Sequence, residues 1–142
     1  MPEKYLEAVV HADQAVNPLL TTLGIEVLSA GEGQAVLRLP YDRKLLQGAG
    51  VVGGGVLATL ADEAMAHAVL STLNNGRVTA TVDMSVRYLS PAGAGEDLRA
   101  EAVVIRRGSR VIFTRAEIVD SQGLAVASAD ASFLVSAKKD KA

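Results

Sequence analysis

The sequence contains no cysteine and no tryptophan, and only 4% of its residues are aromatic. The absence of cysteine excludes disulfides, thiol catalysis and thiolate metal sites, and it fits a reducing cytoplasm, where we expect the protein to reside. With so few aromatic side chains, the protein is not expected to bind single-stranded nucleic acid by stacking its bases on aromatic rings. A net charge of −2 in 142 residues gives no general attraction to nucleic acids or acidic membranes.

Long apolar runs are also absent, so no stretch of the sequence is expected to cross a bilayer. The N-terminal segment MPEKYLEAVVHADQ carries acidic residues and lacks the apolar stretch of a signal peptide, so we expect none. What is present is the composition of a folded globular protein, with 49% hydrophobic and 21% charged residues. The length predicts a single domain over residues 1–142.

The hydrophobic pattern predicts two helices and six strands. We expect a short helix over Glu3–Val16 that ends at Asn17-Pro18, and a long helix over Gly54–Leu73. The predicted strands are Gly24–Ala30, Gln34–Leu39, Thr79–Leu89, Leu98–Ile105, Val111–Val119 and Leu124–Val135. A helical turn is expected near Asp42–Leu45, and a frayed charged tail over Lys138–Ala142.

The order of these elements predicts an α+β fold. No helix separates the last four strands, so we expect them to form an antiparallel meander. The helix over 54–73 has very few charged positions, which predicts burial around most of its circumference. The simplest architecture is one long buried helix against a large curved antiparallel sheet. Strict alternation along Thr79–Leu89 predicts that Ala80, Val82 and Met84 share one face and Thr81 and Asp83 the other.

The most informative stretch is Gln47–Ala64, QGAGVVGGGVLATLADEA, a glycine-rich loop that runs into the long helix. Glycines allow a ligand to approach the backbone, and the first turn of a helix offers unpaired N–H groups to negative charge. Two turns further along, Asp62 lies among small and apolar neighbours, although the alternative is a solvated Asp on an exposed helix face. N–H donors followed by a carboxylate indicate acyl-group chemistry.

These residues resemble the hotdog-fold thioesterases, in particular the phenylacetate-degradation (PaaI-like) group of acyl-CoA thioesterases. The motif of that group resembles N-x-x-G-x-x-H-G-G, followed by a helix of the form x-x-x-x-L-x-D-x-A. In this sequence the similar stretch reads QGAGVVGGG and then VLATLADEA. A second similar segment, TVDMSVRYLSPA, begins at Thr81. The resemblance covers about 24–135 and implies a hotdog fold, in which a curved antiparallel sheet wraps one long central helix.

The resemblance implies hydrolysis of an acyl-CoA thioester to free acid and CoA. It assigns the N–H of Gly55 to the thioester carbonyl, Asp62 to general-base or direct nucleophilic attack, Gln47 to orienting the water or carbonyl, and Thr81 to a position near the attacking water. Coenzyme A is then part of the substrate, and no other cofactor is implied. Because hotdog sites lie between subunits, a homodimer or homotetramer is implied. The acyl chain is expected to lie along the central helix, in a slot partly lined by Met65 and Met84, and Gly54 is a further candidate for substrate binding.

Two positions depart from the family pattern. Gln47 stands where the family has Asn, and Gly53 stands where it has His. The missing His motivates an alternative, a non-catalytic hotdog protein that binds acyl-CoA or another apolar ligand. A hotdog hydratase is disfavoured, because the Asp and His of a hydratase motif are not found.

Basic and histidine residues supply the remaining candidates. Arg106, Arg107 and Arg110 flank Gly108-Ser109 in a turn, which is either a solvated hairpin or a binding mouth for the phosphates of CoA. Arg87 and Ser90 are candidate contributors from the neighbouring strand end. Glu63 and His67 have the i, i+4 spacing of a side-chain pair along one helix face. His67 is the only His near this site, and one His with scattered carboxylates does not form a ligand set, so no metal is expected.

Overall fold

The structure, a computed structural model, describes residues 2–74, 76–93 and 95–137. The helices are α1 (Pro2–Val9), α2 (Pro18–Leu23) and α3 (Gly54–Leu70), with a 3-10 turn at Arg43–Leu45. The strands are β1 (Glu26–Gly31), β2 (Gln34–Leu39), β3 (Arg77–Tyr88), β4 (Leu98–Arg107), β5 (Val111–Val119) and β6 (Ala125–Ala137). The tail predicted at Lys138–Ala142 lies outside the described residues.

All six strands form one antiparallel sheet in the order β1-β2-β4-β5-β6-β3. The predicted meander is confirmed for β4, β5 and β6. It is wrong for β3, which pairs with β6 at the sheet edge and not with β4. The chain leaves β3 and crosses to β4 beside the loop that precedes α3, where the N–H of Val52 donates to the carbonyl of Ala92 at 3.0 Å.

Helix α3 lies inside the curve of the sheet and contacts all six strands. Its buried side chains are Leu57, Leu60, Ala61, Ala64, Met65, His67, Ala68 and Val69. Of its residues, only Gly54 and Gly55 in the first turn are exposed. The predicted burial around the helix is therefore confirmed, and the many alanines let the strands approach closely because they add little volume between helix and sheet.

The N-terminal segment differs from the prediction of a single helix over Glu3–Val16. Helix α1 ends at Val9, and the unpredicted α2 begins at Pro18. Asn17 caps α2, because its side-chain oxygen accepts from the N–H of Leu20 at 3.2 Å. Asn-Pro thus starts a helix here, since Asn favours the N-cap and Pro the first helical position.

A β-bulge in β3 changes which side chains face α3. Thr81 pairs with Phe133, and the next pair is Asp83 with Ser132, which leaves Val82 as an extra residue between them. A bulge of one residue reverses the alternation of faces on one side of it. Because buried Phe133 faces α3, its partner Thr81 does so too.

The predicted grouping of faces along this strand is therefore wrong for residues before Val82. Thr81 lies on the face of Met84, whereas Ala80 lies on the opposite face. Val82 itself is 63% exposed. The bulge places a hydroxyl over the middle of α3, where strict alternation would have placed an alanine or a valine.

Candidate functional site

Asp62 is half-buried in the middle of α3, beneath β3. The Thr81 hydroxyl donates to one oxygen of its carboxylate at 2.7 Å. Among the described residues, nothing else donates to this carboxylate, so its second oxygen remains a free acceptor. The bulge and the helix together fix the orientation of a carboxylate that retains acceptor capacity for water or a substrate.

The first turn of α3 presents two unpaired backbone donors. The N–H groups of Gly54 and Gly55 have no hydrogen-bond partner among the residues described, as expected for the start of a helix. The Tyr88 hydroxyl donates to the carbonyl of Gly54 at 2.8 Å and holds this turn against β3. A Cβ on Gly54 would lie 3.3 Å from the Tyr88 ring, whereas a Cβ on Gly55 would meet nothing within 4 Å. The face of Gly55 is therefore open to a ligand.

The loop before α3 is a closed turn that carries Gln47. The N–H of Gln47 donates to the carbonyl of Val51 at 2.8 Å, and the N–H of Gly50 donates back to the carbonyl of Gln47 at 2.9 Å. The side-chain oxygen of Gln47 accepts from the N–H of Ala49. Its NH₂ group remains for a ligand, so Gln47 can donate to a carbonyl or water.

Gly53, the residue at the family's His position, is the N-cap of α3. Its φ of −61° and ψ of 139° suit any residue. A Cβ there would lie 3.7 Å from the carbonyl oxygen of Leu45, an ordinary contact. The backbone would therefore accept a side chain at this position, and the absence of the His is not a steric requirement of the fold.

The predicted acyl-slot and strand-end residues lie in different places. Met65 is fully buried in the core, whereas Met84 is half-buried on the face of β3 that contacts α3. Arg87 is exposed on the outer face of β3, since it pairs with Ser128 between buried positions. Ser90 is half-buried, and its N–H donates to the carbonyl of Val126 at 3.2 Å. Asp62 is bound instead by Thr81, six residues before Arg87 along β3.

The β4–β5 hairpin divides its arginines between two faces. A register shift at Ile105 pairs Arg106 with exposed Phe113 on the outer face and Arg107 with buried Ile112 on the face of α3. A Cβ at Gly108 would clash with the carbonyl oxygen of Val111, so the turn requires glycine.

Arg110 connects this hairpin to the start of β3. Its carbonyl accepts from the N–H of Val135 at 2.7 Å, and Val135 pairs with Thr79, two residues from Thr81. The hairpin therefore lies near the Thr81 end of β3, and Arg87 and Ser90 lie towards the other end of that strand.

Glu63 and His67 do not form the predicted side-chain pair. His67 Nδ1 donates to the backbone carbonyl of Glu63 at 2.6 Å, and its Nε2 is 2.8 Å from the Tyr5 hydroxyl. The side-chain amide of Asn17 donates to that hydroxyl at 2.9 Å and to the Glu63 carboxylate at 3.2 Å. Burial lowers the pKa of His67, which keeps its ring neutral at pH 7. Sequence reasoning missed Tyr5 and Asn17 because these contacts join distant segments.

Within 2–74, 76–93 and 95–137, no group of three or more His, Cys, Asp or Glu side chains could hold a metal ion. No helix in the same ranges is sufficiently long and apolar to cross a membrane.

Comparison with known proteins gives relatives over most of the chain. The Thioesterase superfamily model matches residues 49–127. The acyl-coenzyme A thioesterase PaaI of Escherichia coli K12 is 32% identical over 82% of this chain and 81% of its own length. A Halobacterium salinarum protein with a provisional esterase name is 41% identical over 82% of this chain and 83% of its length.

Solved structures agree with these relatives. The structure of the E. coli PaaI protein from the phenylacetic acid degradation operon superimposes with a TM-score of 0.84 at 26% identity, covering 98% of this chain and 99% of that one. The matched segment, residues 49–127, exceeds half of the chain, and it contains Gly53–Gly55, Asp62 and Thr81. The chain therefore belongs to the hotdog-fold thioesterase superfamily, within its PaaI-like group.

Proposed function

We propose that this protein hydrolyses the thioester of an acyl-CoA to a free acid and CoA. The observation that carries the proposal is the Asp62 carboxylate, which the Thr81 hydroxyl holds at 2.7 Å by one oxygen while the other oxygen stays free. A positioned carboxylate on a helix whose only other acidic side chain, that of Glu63, is bound to Asn17 suits activation of water. The thioesterase family match and the PaaI relative support a thioester as the bond that is broken.

Two chemical routes use the free oxygen of Asp62. In the first it takes a proton from water while the water oxygen attacks the thioester carbon, and the proton then passes to the CoA sulfur as the C–S bond breaks. In the second it attacks the carbon itself and expels CoA as a thiolate when the C–S bond breaks. Water then hydrolyses the resulting anhydride to the free acid, which restores the Asp62 carboxylate and leaves a proton for the thiolate. In both routes the carbonyl oxygen gains negative charge, which the N–H of Gly55 at the helix N-terminus stabilises.

The two halves of this chemistry are too far apart within one chain. Gly55 and Asp62 are separated by about 10 Å along α3, from the rise of 1.5 Å per residue. One reacting carbon must lie about 3 Å from both the donor and the nucleophile. A complete site therefore needs Gly55 of one copy and Asp62 of another.

The free edge of β3 offers a way to bring these halves together. It is a strand of 12 residues with β6 on one side and no partner among the described residues on the other. Thr81 anchors one part of β3 to Asp62, and Tyr88 anchors the other to Gly54. Antiparallel pairing of two β3 edges about a two-fold axis near Ser85 would place Gly54 of one copy close to Asp62 of the other.

We expect this assembly to be an obligate dimer, because a long unpaired edge with exposed Val78 and Val82 invites pairing. Sedimentation at micromolar concentration should give no stable monomer. The exposed Ile105, Phe113 and Leu134 on the outer sheet face support a tetramer of two such dimers. A stable and active monomer would contradict both the shared site and the edge pairing.

The hairpin is the proposed mouth for CoA, since it lies near the Thr81 end of the sheet. Arg107 shares the face of α3, and Arg110 joins the hairpin to the start of β3. A guanidinium group binds phosphate through two parallel hydrogen bonds. Arg106 lies on the outer face beside Phe113 and serves as a matched control.

We expect the double variant Arg107→Ala/Arg110→Ala to raise KM for acyl-CoA about tenfold, the scale of a hydrogen bond to a charged group. The value of kcat should change less, because phosphate contacts are equal in the ground and transition states. The effect should shrink at high salt. Steady-state kinetics on this variant and on Arg106→Ala test this prediction. An unchanged KM in the double variant would show that the hairpin does not bind CoA.

The second candidate is a protein that binds acyl-CoA without hydrolysing it, which the missing side chain at Gly53 favours. A panel of acyl-CoA thioesters, assayed for released thiol and in parallel for binding by calorimetry, separates the two functions. Binding without thiol release from any member would support this second function and overturn hydrolysis.

A further inference from the structure

Tyr88 is the last residue of β3 and contacts the first turn of α3. Its hydroxyl donates to the carbonyl oxygen of Gly54 at 2.8 Å, and a Cβ on Gly54 would lie 3.3 Å from its ring. The side chain is nevertheless 53% exposed, so it contributes little to the hydrophobic core. These contacts indicate a local role at the start of α3.

The Tyr88 hydroxyl binds the same peptide group that carries the N–H of Gly55. The carbonyl of Gly54 and the N–H of Gly55 are the two ends of one planar, conjugated unit. A hydrogen bond to the carbonyl polarises this unit and strengthens the N–H as a donor, and such coupling amounts to about 10 to 30% per bond. Tyr88 can therefore act on the Gly55 donor through the peptide bond.

The hydrogen bond from Tyr88 also fixes the orientation of this turn relative to the sheet. A carbonyl oxygen has two lone pairs, so that of Gly54 can accept from Tyr88 and from an N–H four residues further along α3. Gly54 and Gly55 have no side chains to restrict their backbone. A contact from β3 therefore limits the directions in which the Gly55 N–H can point.

A second hydroxyl makes the same kind of bond one peptide group further along. Thr59 donates to the carbonyl of Gly55 at 3.0 Å, and that peptide group carries the N–H of Val56. The N–H of Val56 already donates to the carbonyl of Gly53 at 3.0 Å. Thr59 also belongs to α3 itself, so its bond does not join the helix to the sheet. It is therefore a matched control for Tyr88.

We propose that Tyr88 is a positioning residue for thioester hydrolysis, because its hydroxyl orients and strengthens the Gly55 N–H through the Gly54 carbonyl. The inference rests on the proposed thioesterase function and adds a residue that acts through the oxyanion donor. Negative charge on the substrate oxygen builds up in the transition state, where a stronger donor has its largest effect. Tyr88 should therefore influence kcat more than KM.

Tyr88→Phe removes the hydroxyl and keeps the ring beside Gly54. Losing a whole oxyanion donor lowers kcat about 100- to 1,000-fold, so a residue that acts through the donor should cost less, roughly tenfold. KM and the thermal unfolding temperature should stay near their wild-type values. Thr59→Val removes the other hydroxyl at nearly constant size and should keep the wild-type kcat. A wild-type kcat in Tyr88→Phe, or equal losses in the two variants, would overturn the inference.

The amide nitrogen of Gly55 provides a spectroscopic readout that does not depend on turnover. Loss of a hydrogen bond at a carbonyl reduces the polarisation of its peptide group, so the NMR signal of the Gly55 nitrogen should move upfield in Tyr88→Phe. In Thr59→Val the Val56 signal should move and the Gly55 signal should stay. An unchanged Gly55 signal in Tyr88→Phe would overturn the inference even if kcat fell.

The two measurements separate this inference from the proposed hydrolysis. If the wild-type protein releases thiol from no acyl-CoA, the proposed hydrolysis is overturned. The Gly55 signal then decides on Tyr88, since a shift in Tyr88→Phe supports its coupling to the donor and no shift overturns it. If the wild-type protein hydrolyses an ester and Tyr88→Phe does so equally fast, the hydrolysis stands and the role of Tyr88 is excluded.

Discussion

We expect Asp62→Asn to lower kcat for thioester hydrolysis by roughly two to four orders of magnitude, the usual effect of losing a positioned general base. Asparagine keeps the size of the side chain and an oxygen for the Thr81 hydroxyl, which donates to Asp62 at 2.7 Å. It lacks the negative charge that takes a proton from water or attacks a carbonyl. Both proposed routes therefore stop at the same step.

The measurement is thiol release with the best acyl-CoA, together with binding of that ester and thermal unfolding. Affinity and stability should change little, because the hydrogen bond and the volume are retained. Asp130→Asn, at an exposed position of β6, is the control and should keep the wild-type rate. A wild-type rate in Asp62→Asn would exclude Asp62 as base and as nucleophile.

The local sequence predicted the central helix and its carboxylate because both depend on neighbours along the chain. The near absence of charge over Gly54–Leu73 predicted burial, and the glycine-rich loop before it predicted that a ligand can approach the backbone. The resemblance added the oxyanion role of Gly55 and the position of Thr81. The contact between Thr81 and Asp62 came from the structure.

The features that sequence reasoning missed depend on pairing between distant segments. The bulge at Val82 exists only in the register of β3 against β6, so alternation along one strand could not predict it. The position of β3 beside β6 depends on how the whole sheet closes around α3. In the same way, Tyr5 and Asn17 meet His67 only because α1 and α2 fold back onto α3.

A second large effect is expected at Gly55, where stability and activity should change in opposite directions. The residue lies in the first turn of α3, its φ is not positive, and a Cβ would meet nothing within 4 Å. Replacing a helical glycine with alanine removes conformational freedom from the unfolded chain. Gly55→Ala should therefore raise the free energy of unfolding by about 0.5 to 1 kcal/mol.

The same methyl group should impair catalysis, because it occupies the open face through which a thioester carbonyl reaches the N–H of Gly55. A carbonyl displaced by about 1 Å from its donor can lose about 100-fold in rate, and we expect kcat/KM to fall on that scale. Gly31→Ala is the matched control, since Gly31 is exposed at the end of β1 and its added Cβ also meets nothing within 4 Å. Denaturant unfolding and thiol release on both variants separate the effects. If Gly55→Ala is stabilised and fully active, the substrate does not approach this face, and the carbonyl must bind elsewhere.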